Sequence, residues 1–307
     1  MIRSPWLRAA RLQLHTIGFT PLFLGNVVAW YEQGHFSGMR FFLSVLIGFL
    51  IHLVTAFVND LADVRTDESN AFRSLFSGGS GVIVDGLLPR SSLVKGASWA
   101  VFLSLLLTGV LVFRLQVHWG IFLFLGWGLI SSLGYSLPPL KLSYRGGGEF
   151  LVLLNYGPAL VWTGYFLQAG PTPTPLPWVL SLPIGLAVFA LIAITQFPDQ
   201  EADRKAGKRS LVILLGERRT LGIIAAAIVL SFLSVSVSLL TGAVPVLAGV
   251  LSLFGLPLAY GILRIIICRE EGPSDYIKLS QETLLLTLWF GLAPAVGLLL
   301  NKWFGWF

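Results

Sequence analysis

The stretch Thr55–Ser69, TAFVNDLADVRTDES, follows directly on a long apolar run and contains four acids and one amide between Asn59 and Glu68. Carboxylates are costly beside a segment that suits hydrocarbon. A ligand or partner that compensates for this cost is therefore expected at the end of the apolar run.

The composition is that of a membrane protein. The chain has 307 residues, of which 55% are hydrophobic and 12% charged, with a mean hydropathy of +0.80. Soluble domains carry about 25% charged residues, so the fold class predicted is an all-α polytopic membrane protein embedded in a lipid bilayer. The single cysteine, Cys268, excludes an internal disulfide and a cysteine metal cluster.

Apolar runs long enough to span a bilayer, about 20 residues each, recur along the chain. They predict nine transmembrane helices around a central cavity, capped by cytoplasmic loops, in one domain over 1–307. The predicted spans are 13–31, 39–60, 94–113, 119–137, 148–169, 177–198, 219–241, 244–267 and 282–304.

The charges are distributed unevenly between the two sides of this arrangement. All of the 21 Lys and Arg residues except Arg40, Arg114 and Lys302 fall on the side of the N-terminus. The positive-inside rule makes that side cytoplasmic in a cell membrane. The excess of cations on the cytoplasmic side also accounts for the net charge of +6. We therefore expect no nucleic-acid partner. Of the 15 acids, only Glu32 falls on the outer side.

A second acidic cluster, TQFPDQEADRKAGKRS at 195–210, ends the sixth predicted span as the first cluster ends the second. The two clusters align, with Asn59 matching Asp199 and Asp63 matching Asp203. This match suggests two related halves, about 1–147 and 148–307, each supplying one acidic helix end.

Helical spacing groups the polar side chains into two short ladders of oxygen ligands. Asn59 and Asp63 lie about 40° apart on one helical stripe, and Asp199 and Asp203 repeat that spacing. Asp67 extends the first stripe if the helix continues, whereas Asp60 points away from it. Oxygen ligands without His or Cys suit Mg²⁺, which leaves coordination positions for substrate phosphate oxygens. His52, above the first ladder, is interpreted as an interior histidine.

Cations surround both ladders, as a diphosphate bridged by Mg²⁺ requires. The loop YSLPPLKLSYRGGGE between the fourth and fifth spans adds two tyrosines, of which Tyr144 can equally be a structural connector. The residues predicted to contact diphosphate are Arg73, Tyr135, Lys141, Arg145, Lys208 and Arg209.

Together these motifs resemble the UbiA superfamily of intramembrane prenyltransferases. NDLADVRTD fits the first signature of that family at Asn59, Asp60, Asp63 and Asp67, and DQEAD fits the second at Asp199 and Asp203. FSGGSGVIVDGLL and YSLPPLKLSYRGGGEF look like the dihydroxynaphthoate polyprenyltransferase branch of menaquinone biosynthesis. The family's Arg-Pro before the first span is absent here, where the chain reads RAARLQ.

The resemblance implies Mg²⁺-assisted loss of diphosphate from a polyprenyl diphosphate, followed by attack of an aromatic quinone-precursor acceptor. It implies Asn59, Asp63, Asp199 and Asp203 as metal ligands, assisted by Asp60 and Asp67. Asp63, Asp199 and Asp203 are the residues on which catalysis is expected to depend.

Other functions remain open on the sequence alone. The same chemistry could act on a chlorin, a haem or a glycerol-based lipid. An ion-coupled transporter would use carboxylates near the middle of the bilayer, but these acids lie at span ends on one side. A regulatory relative without activity would not need complete acid ladders.

Overall fold

The structure is a computed structural model that describes residues 4–69, 79–268 and 273–305. Helices dominate the described residues, among which there is no strand. The helices are α1 Pro5–Ala10, α2 Leu12–Gln33, α3 Gly38–Ala62, α4 Val64–Ser69, α5 Arg90–Phe113, α6 Ile121–Ser136, α7 Gly148–Leu154, α8 Leu160–Ala169, α9 Leu176–Thr195, α10 Gln200–Lys205, α11 Leu211–Leu215, α12 Glu217–Leu240, α13 Val246–Leu253, α14 Leu256–Cys268 and α15 Pro273–Phe304.

Within the described residues, seven helical segments are long and apolar enough to cross a membrane. They are Gly38–Ala62, Arg90–Phe113, Gly148–Ala169, Leu176–Thr195, Glu217–Leu240, Val246–Cys268 and Asp275–Phe304. Two of the nine predicted spans are not among them: α6 has only 16 residues, and α2, at 22 residues, is not apolar enough. The protein is therefore an all-helical integral membrane protein, and the count of nine spans stays a prediction.

Many large apolar side chains on the outside of the bundle face away from any protein neighbour. Phe113, Leu123, Leu240 and Trp303 are each more than two-thirds exposed. In water such a surface would drive association, whereas lipid tails cover it at no cost. This outer surface therefore agrees with insertion in a bilayer.

Glycines bring α2 and α8 into direct backbone contact. A Cβ atom on Gly25 would lie 1.9 Å from the carbonyl oxygen of Val161, and one on Gly164 would lie 2.2 Å from that of Leu22. Small residues at a helix crossing allow this close approach in membranes. Although it is less apolar than the seven segments, α2 is thus packed into the interior of the bundle, where it also contacts α15 and α9.

The segment between α7 and α8 departs from regular helix. Asn155–Ala159 forms a π-helical turn that contains Pro158, with Gly157 at ψ −105°. Pro158 lacks an N–H group, so the ladder of backbone hydrogen bonds is interrupted there. Such turns are tolerated within a membrane when they line a cavity, and Asn155, Tyr156 and Ala159 do line the central cavity.

Candidate active site

A cavity of about 660 Å³ lies inside the bundle. One end is polar and includes side chains of both acidic clusters, Asn59, Asp63, Asp199 and Asp203. Most of the remaining wall is apolar and comes from α2, α3, α6, α8 and α9, with members such as Phe19, Ile51, Phe124, Leu160 and Leu191. The cavity can therefore hold a molecule with a charged head and an apolar body.

The first acidic cluster forms where α3 ends. The backbone N–H of Asp63 donates to the carbonyl of Asn59 at 2.9 Å, and that of Asp67 donates to the carbonyl of Asp63 at 2.9 Å. Asp63 caps α3, and α4 starts at the next residue. The i, i+4 backbone hydrogen bonds continue across the junction of α3 and α4. Asn59, Asp63 and Asp67 therefore all line the cavity.

The second cluster repeats this local geometry. Asp199 precedes α10, and the backbone N–H of Asp203 donates to the carbonyl of Asp199 at 2.8 Å. Phe57 and Phe197, two residues before Asn59 and Asp199, are both buried. The two clusters thus share spacing and anchoring, although common ancestry of the two halves stays a prediction.

Lys208 joins the two clusters. Its Nζ atom lies 3.0 Å from Oδ2 of Asp63 and 3.0 Å from Oδ1 of Asp203. Burial alone would lower the pKa of Lys208, but the carboxylates of Asp63 and Asp203 outweigh burial and raise the pKa above its usual value. The ammonium group stays charged and neutralises two facing carboxylates.

Asp60 has different partners from Asp63, the acid that Lys208 contacts. Its buried carboxylate accepts hydrogen bonds from the guanidinium of Arg11 and the hydroxyl of Ser80. It does not line the cavity, which agrees with the angle predicted from helical spacing. The assisting role of Asp60 at a metal stays a prediction. The two hydrogen bonds indicate that Asp60 holds the Arg11 side chain in place.

Sequence reasoning missed Arg11 and Ser80. The sequence treats Arg11 as one of several arginines before the first apolar run, whereas the structure places it in the cavity wall. Ser80 lies in the SGGSG stretch, where the glycines point to backbone contacts and give no sign of a side-chain partner. The signal that could have identified the partner of Asp60 is that Arg11 is the last cation before the first predicted span.

A small network at the polar end of the cavity joins Asp63, Tyr144 and Lys141. The hydroxyl of Tyr144 donates to Oδ1 of Asp63 at 2.8 Å, and Nζ of Lys141 lies 3.5 Å from the centre of the Tyr144 ring. Burial and the charge of Asp63 raise the pKa of Tyr144 to about 12, so its hydroxyl remains a donor. Lys141 is thus linked to Asp63 indirectly, because it contacts the Tyr144 ring whose hydroxyl binds Asp63.

The other predicted diphosphate contacts are placed differently. Tyr135 lines the cavity. Arg145 and Arg209 are exposed and do not line it. Arg73 lies outside the described residues. All of these roles stay predictions.

Asp67 is buried beneath a glycine. Gly79 packs against it so closely that a Cβ atom would lie 2.1 Å from Oδ2 of Asp67. Burial, together with the carboxylates of Asp63 and Asp60, raises the pKa of Asp67 to about 7 against the opposing effect of Arg11. Burial also raises the pKa of Asp203 to about 6. Bringing a cation near these carboxylates would relieve the cost of ionising them.

The residues present fit Mg²⁺ only with help from a substrate. Among the described residues, no three acids or histidines converge on one point as a ready-made metal site would. Mg²⁺, however, is usually held by one or two carboxylates plus phosphate oxygens. The Lys208 ammonium already bridges Asp63 and Asp203 as a monovalent stand-in, and the buried side-chain oxygen of Gln196 nearby has no described partner. Donor chemistry and charge are therefore suitable.

Comparison with known proteins gives a consistent result. The profile of the UbiA prenyltransferase family matches residues 19–280. The chain is 26% identical over 301 residues to 1,4-dihydroxy-2-naphthoate octaprenyltransferase of Escherichia coli (strain K12), covering 97% of this chain and 96% of the relative. It is 24% identical over 300 residues to 2-carboxy-1,4-naphthoquinone phytyltransferase of Synechocystis, covering 96% and 93%.

The fold is also similar to a solved structure. A UbiA homologue from Archaeoglobus fulgidus, solved with GPP and Mg²⁺ bound, superposes with a TM-score of 0.64 at 18% identity, covering 95% of this chain and all of the homologue. At that identity the likeness concerns the fold alone.

Proposed function

We propose that this chain, which belongs to the UbiA prenyltransferase family, transfers a polyprenyl group from a polyprenyl diphosphate to a dihydroxynaphthoate-like aromatic acceptor in a Mg²⁺-dependent reaction that releases diphosphate. The observation that carries this proposal is the bridge from Lys208 to Asp63 and Asp203 at the polar end of an otherwise apolar cavity. Such a site combines acids for a metal, a cation for phosphate and a dry compartment for a prenyl chain.

The acceptor assignment is supported by the relatives. The E. coli relative is named for 1,4-dihydroxy-2-naphthoate and the Synechocystis relative for 2-carboxy-1,4-naphthoquinone. Both names describe bicyclic aromatic acceptors that carry a carboxyl group. The names differ in the prenyl group, octaprenyl against phytyl, so our proposal leaves the chain length open.

Asn59, Asp63, Asp67, Asp199 and Asp203 would hold Mg²⁺ in this proposal. When bound, Mg²⁺ neutralises charge that develops on the leaving diphosphate. Lys208 would then exchange one carboxylate for a phosphate oxygen, because its flexible stem and three N–H donors allow either partner. Tyr144 would orient Asp63 through its hydrogen bond.

The apolar wall would protect the allylic cation that forms when the C1–O bond to diphosphate breaks. Water would capture this cation, and side chains such as Ile51, Phe124 and Leu191 keep water out of that part of the cavity. The acceptor ring then attacks C1, and the ring loses a proton or, where a carboxylate is attached at that carbon, carbon dioxide.

We assign nine spans to the chain, with the N-terminus and both acidic clusters on the cytoplasmic side. The seven apolar segments, together with α2 and α6, match the nine predicted spans. The native Cys268 is exposed and falls on the predicted inner side. A membrane-impermeant maleimide added to intact cells should spare Cys268 but label Gln116→Cys in a Cys268→Ser background, and the reverse pattern would contradict this topology.

The reaction is tested with purified protein, labelled polyprenyl diphosphate and a mixture of aromatic, chlorin and glycerol-based acceptors. We expect a prenylated naphthoate-type product by mass spectrometry with Mg²⁺ and none with EDTA. Asp63→Ala and Asp199→Ala should each lower kcat at least 100-fold, as expected when charge stabilisation at the reacting centre is removed.

Glu68→Ala is the matched control, because Glu68 belongs to the first cluster but is exposed and has no assigned role. It should retain most activity. Full activity in both aspartate variants, or activity without a divalent metal, would contradict the mechanism. A product formed only on a chlorin or a glycerol-based lipid would contradict the acceptor.

A further inference from the structure

Two histidines line the central cavity on the same side as the first acidic cluster. His52 lies on α3 seven residues before Asn59, about 10 Å along the helix axis. His15 lies on α2, and its ring meets that of His52 edge-on with centroids 5.4 Å apart. Thr55 and Ala56, which lie between His52 and Asn59 on α3, also line the cavity, so the cavity extends from the imidazoles to the acidic clusters.

A backbone contact fixes the tautomer of His52. Its Nε2 atom lies 3.2 Å from the carbonyl oxygen of Ala10, which can only accept a hydrogen bond. Nε2 therefore carries the proton, and in the neutral ring Nδ1 has a free lone pair. The ring also interacts with the backbone of Arg11. Among the described residues no side chain donates a hydrogen bond to the ring, so a ligand in the cavity can donate to Nδ1.

The charged and titratable groups that face His52 are His15 from α2 and Arg11 from the junction of α1 and α2. Neither is an acid, so no carboxylate at this position holds the imidazole in its charged form. His52 thus lines the cavity with no carboxylate facing it, about three turns of α3 before Asp63.

We propose that His52 is the general base that accepts the hydroxyl proton of the aromatic acceptor, and that His15 orients the His52 ring. This inference rests on the proposed function, because it requires an acceptor with a ring hydroxyl. It adds a catalytic residue that lies outside both acidic clusters.

The proposed step moves one proton to His52 and forms one carbon–carbon bond. The O–H bond of the acceptor breaks, and its proton goes to Nδ1 of His52 while the electron pair enters the ring. A ring carbon forms a bond to C1 of the allylic cation that remains after the C1–O bond to diphosphate has broken. The ring becomes aromatic again by losing its own proton to water, or by losing carbon dioxide, and the electron pair returns to the ring oxygen, which takes back the proton from the imidazolium.

His52→Gln is the decisive variant, because its amide N–H can still donate to the Ala10 carbonyl while the basic nitrogen is lost. We expect kcat to fall about 100-fold, the lower range for loss of a general base, with unchanged affinity for labelled polyprenyl diphosphate. The deficit should shrink as pH rises and water ionises the acceptor hydroxyl. A merely structural role would give a deficit that does not vary with pH.

His35→Gln is the matched control, since that imidazole also contacts a backbone carbonyl, of Gln168, away from the cavity. It should behave as the unchanged protein does. If His52→Gln does not fold, His52→Ala with added imidazole replaces it, and rescue of the rate is expected.

The outcomes separate this inference from the proposed function. If the unchanged protein prenylates no hydroxyaromatic acceptor, the proposed function fails and the inference fails with it. If it does so, but His52→Gln is fully active at every pH or is impaired equally at every pH, only the base role of His52 is overturned. Absence of imidazole rescue overturns it as well.

Discussion

The Nζ atom of Lys208 lies 3.0 Å from Oδ2 of Asp63, although 145 positions separate the two residues in the chain. Because the same atom also lies 3.0 Å from Asp203, one cation joins the end of α3 to α10. Two carboxylates this close to each other would otherwise repel, so the ammonium group keeps both acidic clusters together.

Lys208→Met should make the protein more dependent on a divalent cation. The variant keeps the apolar stem but leaves Asp63 and Asp203, both buried, without their shared counter-charge. Removing one partner of a buried ion pair costs about 3–5 kcal/mol. We therefore expect a lower thermal unfolding midpoint without metal and a larger upward shift on adding Mg²⁺ than in the unchanged protein.

Lys205→Met is the control for this comparison, because Lys205 is exposed and ends α10, the helix that carries Asp203. Its midpoint and its response to Mg²⁺ should match those of the unchanged protein. Equal Mg²⁺ responses in all three proteins would mean that Lys208 does not occupy the position of a metal.

Local periodicity explains what the sequence could predict. The apolar runs place α9, at Leu176–Thr195, within a few residues of the predicted span 177–198, whereas α15 begins at Pro273, nine residues before the predicted span 282–304. The i, i+4 spacing puts Asn59 and Asp63 on one stripe and Asp60 off it, and of these three only Asn59 and Asp63 line the cavity. Contacts between distant segments are different, since no helical period shows that Lys208 meets Asp63 or that Arg11 meets Asp60. Those pairings depend on how the helices pack.

The pair of Arg11 and Asp60 should be energetically coupled. Arg11→Gln leaves the buried carboxylate of Asp60 without its counter-charge, and Asp60→Asn removes the counter-charge of the partly buried Arg11 guanidinium, so each should lower the free energy of unfolding. In the double variant neither charge remains, and the loss should be smaller than the sum of the two single losses by about 1–3 kcal/mol.

A double-mutant cycle from reversible unfolding in detergent measures this coupling. Arg8 and Asp85 form the comparison pair, because they also make a salt bridge at 2.6 Å but both are about one-third exposed. Their coupling should stay under about 1 kcal/mol. Additive losses for Arg11 and Asp60 would show that Asp60 is free to serve another partner, such as a metal.

Glu149 should act on the site through the segment that carries Lys208. Its buried carboxylate accepts a hydrogen bond at 2.8 Å from the backbone N–H of Leu211, the first residue of α11. Glu149→Ala leaves that N–H group buried without a partner, at a cost of about 1–3 kcal/mol. We expect a lower unfolding midpoint and a raised KM for polyprenyl diphosphate, because Lys208 lies three residues before Leu211.

Glu149→Gln separates the hydrogen bond from the charge. Its side-chain oxygen can still accept from Leu211, so most of the stability and the KM should be retained. If the glutamine variant is as impaired as the alanine variant, the negative charge of Glu149, rather than its hydrogen bond, holds the segment.

Gly79 and Gly86 provide a matched test of the contact with Asp67. Both have φ of +67°, so alanine at either position carries the same left-handed strain of about 1–2 kcal/mol. Only at Gly79 does the new Cβ atom meet a neighbour, Oδ2 of Asp67 at 2.1 Å, whereas around Gly86 nothing lies within 4 Å. Gly79→Ala must therefore displace the Asp67 carboxylate, while Gly86→Ala leaves it in place.

The expected result is that Gly86→Ala loses a small amount of thermal stability and no activity, whereas Gly79→Ala loses more stability and at least 10-fold in kcat/KM. Strain alone would affect the two variants alike, so the difference between them isolates the position of Asp67. Asp67→Asn in the unchanged background should reproduce the activity loss without the strain. Equal activity of the two alanine variants would remove Asp67 from the set of metal ligands.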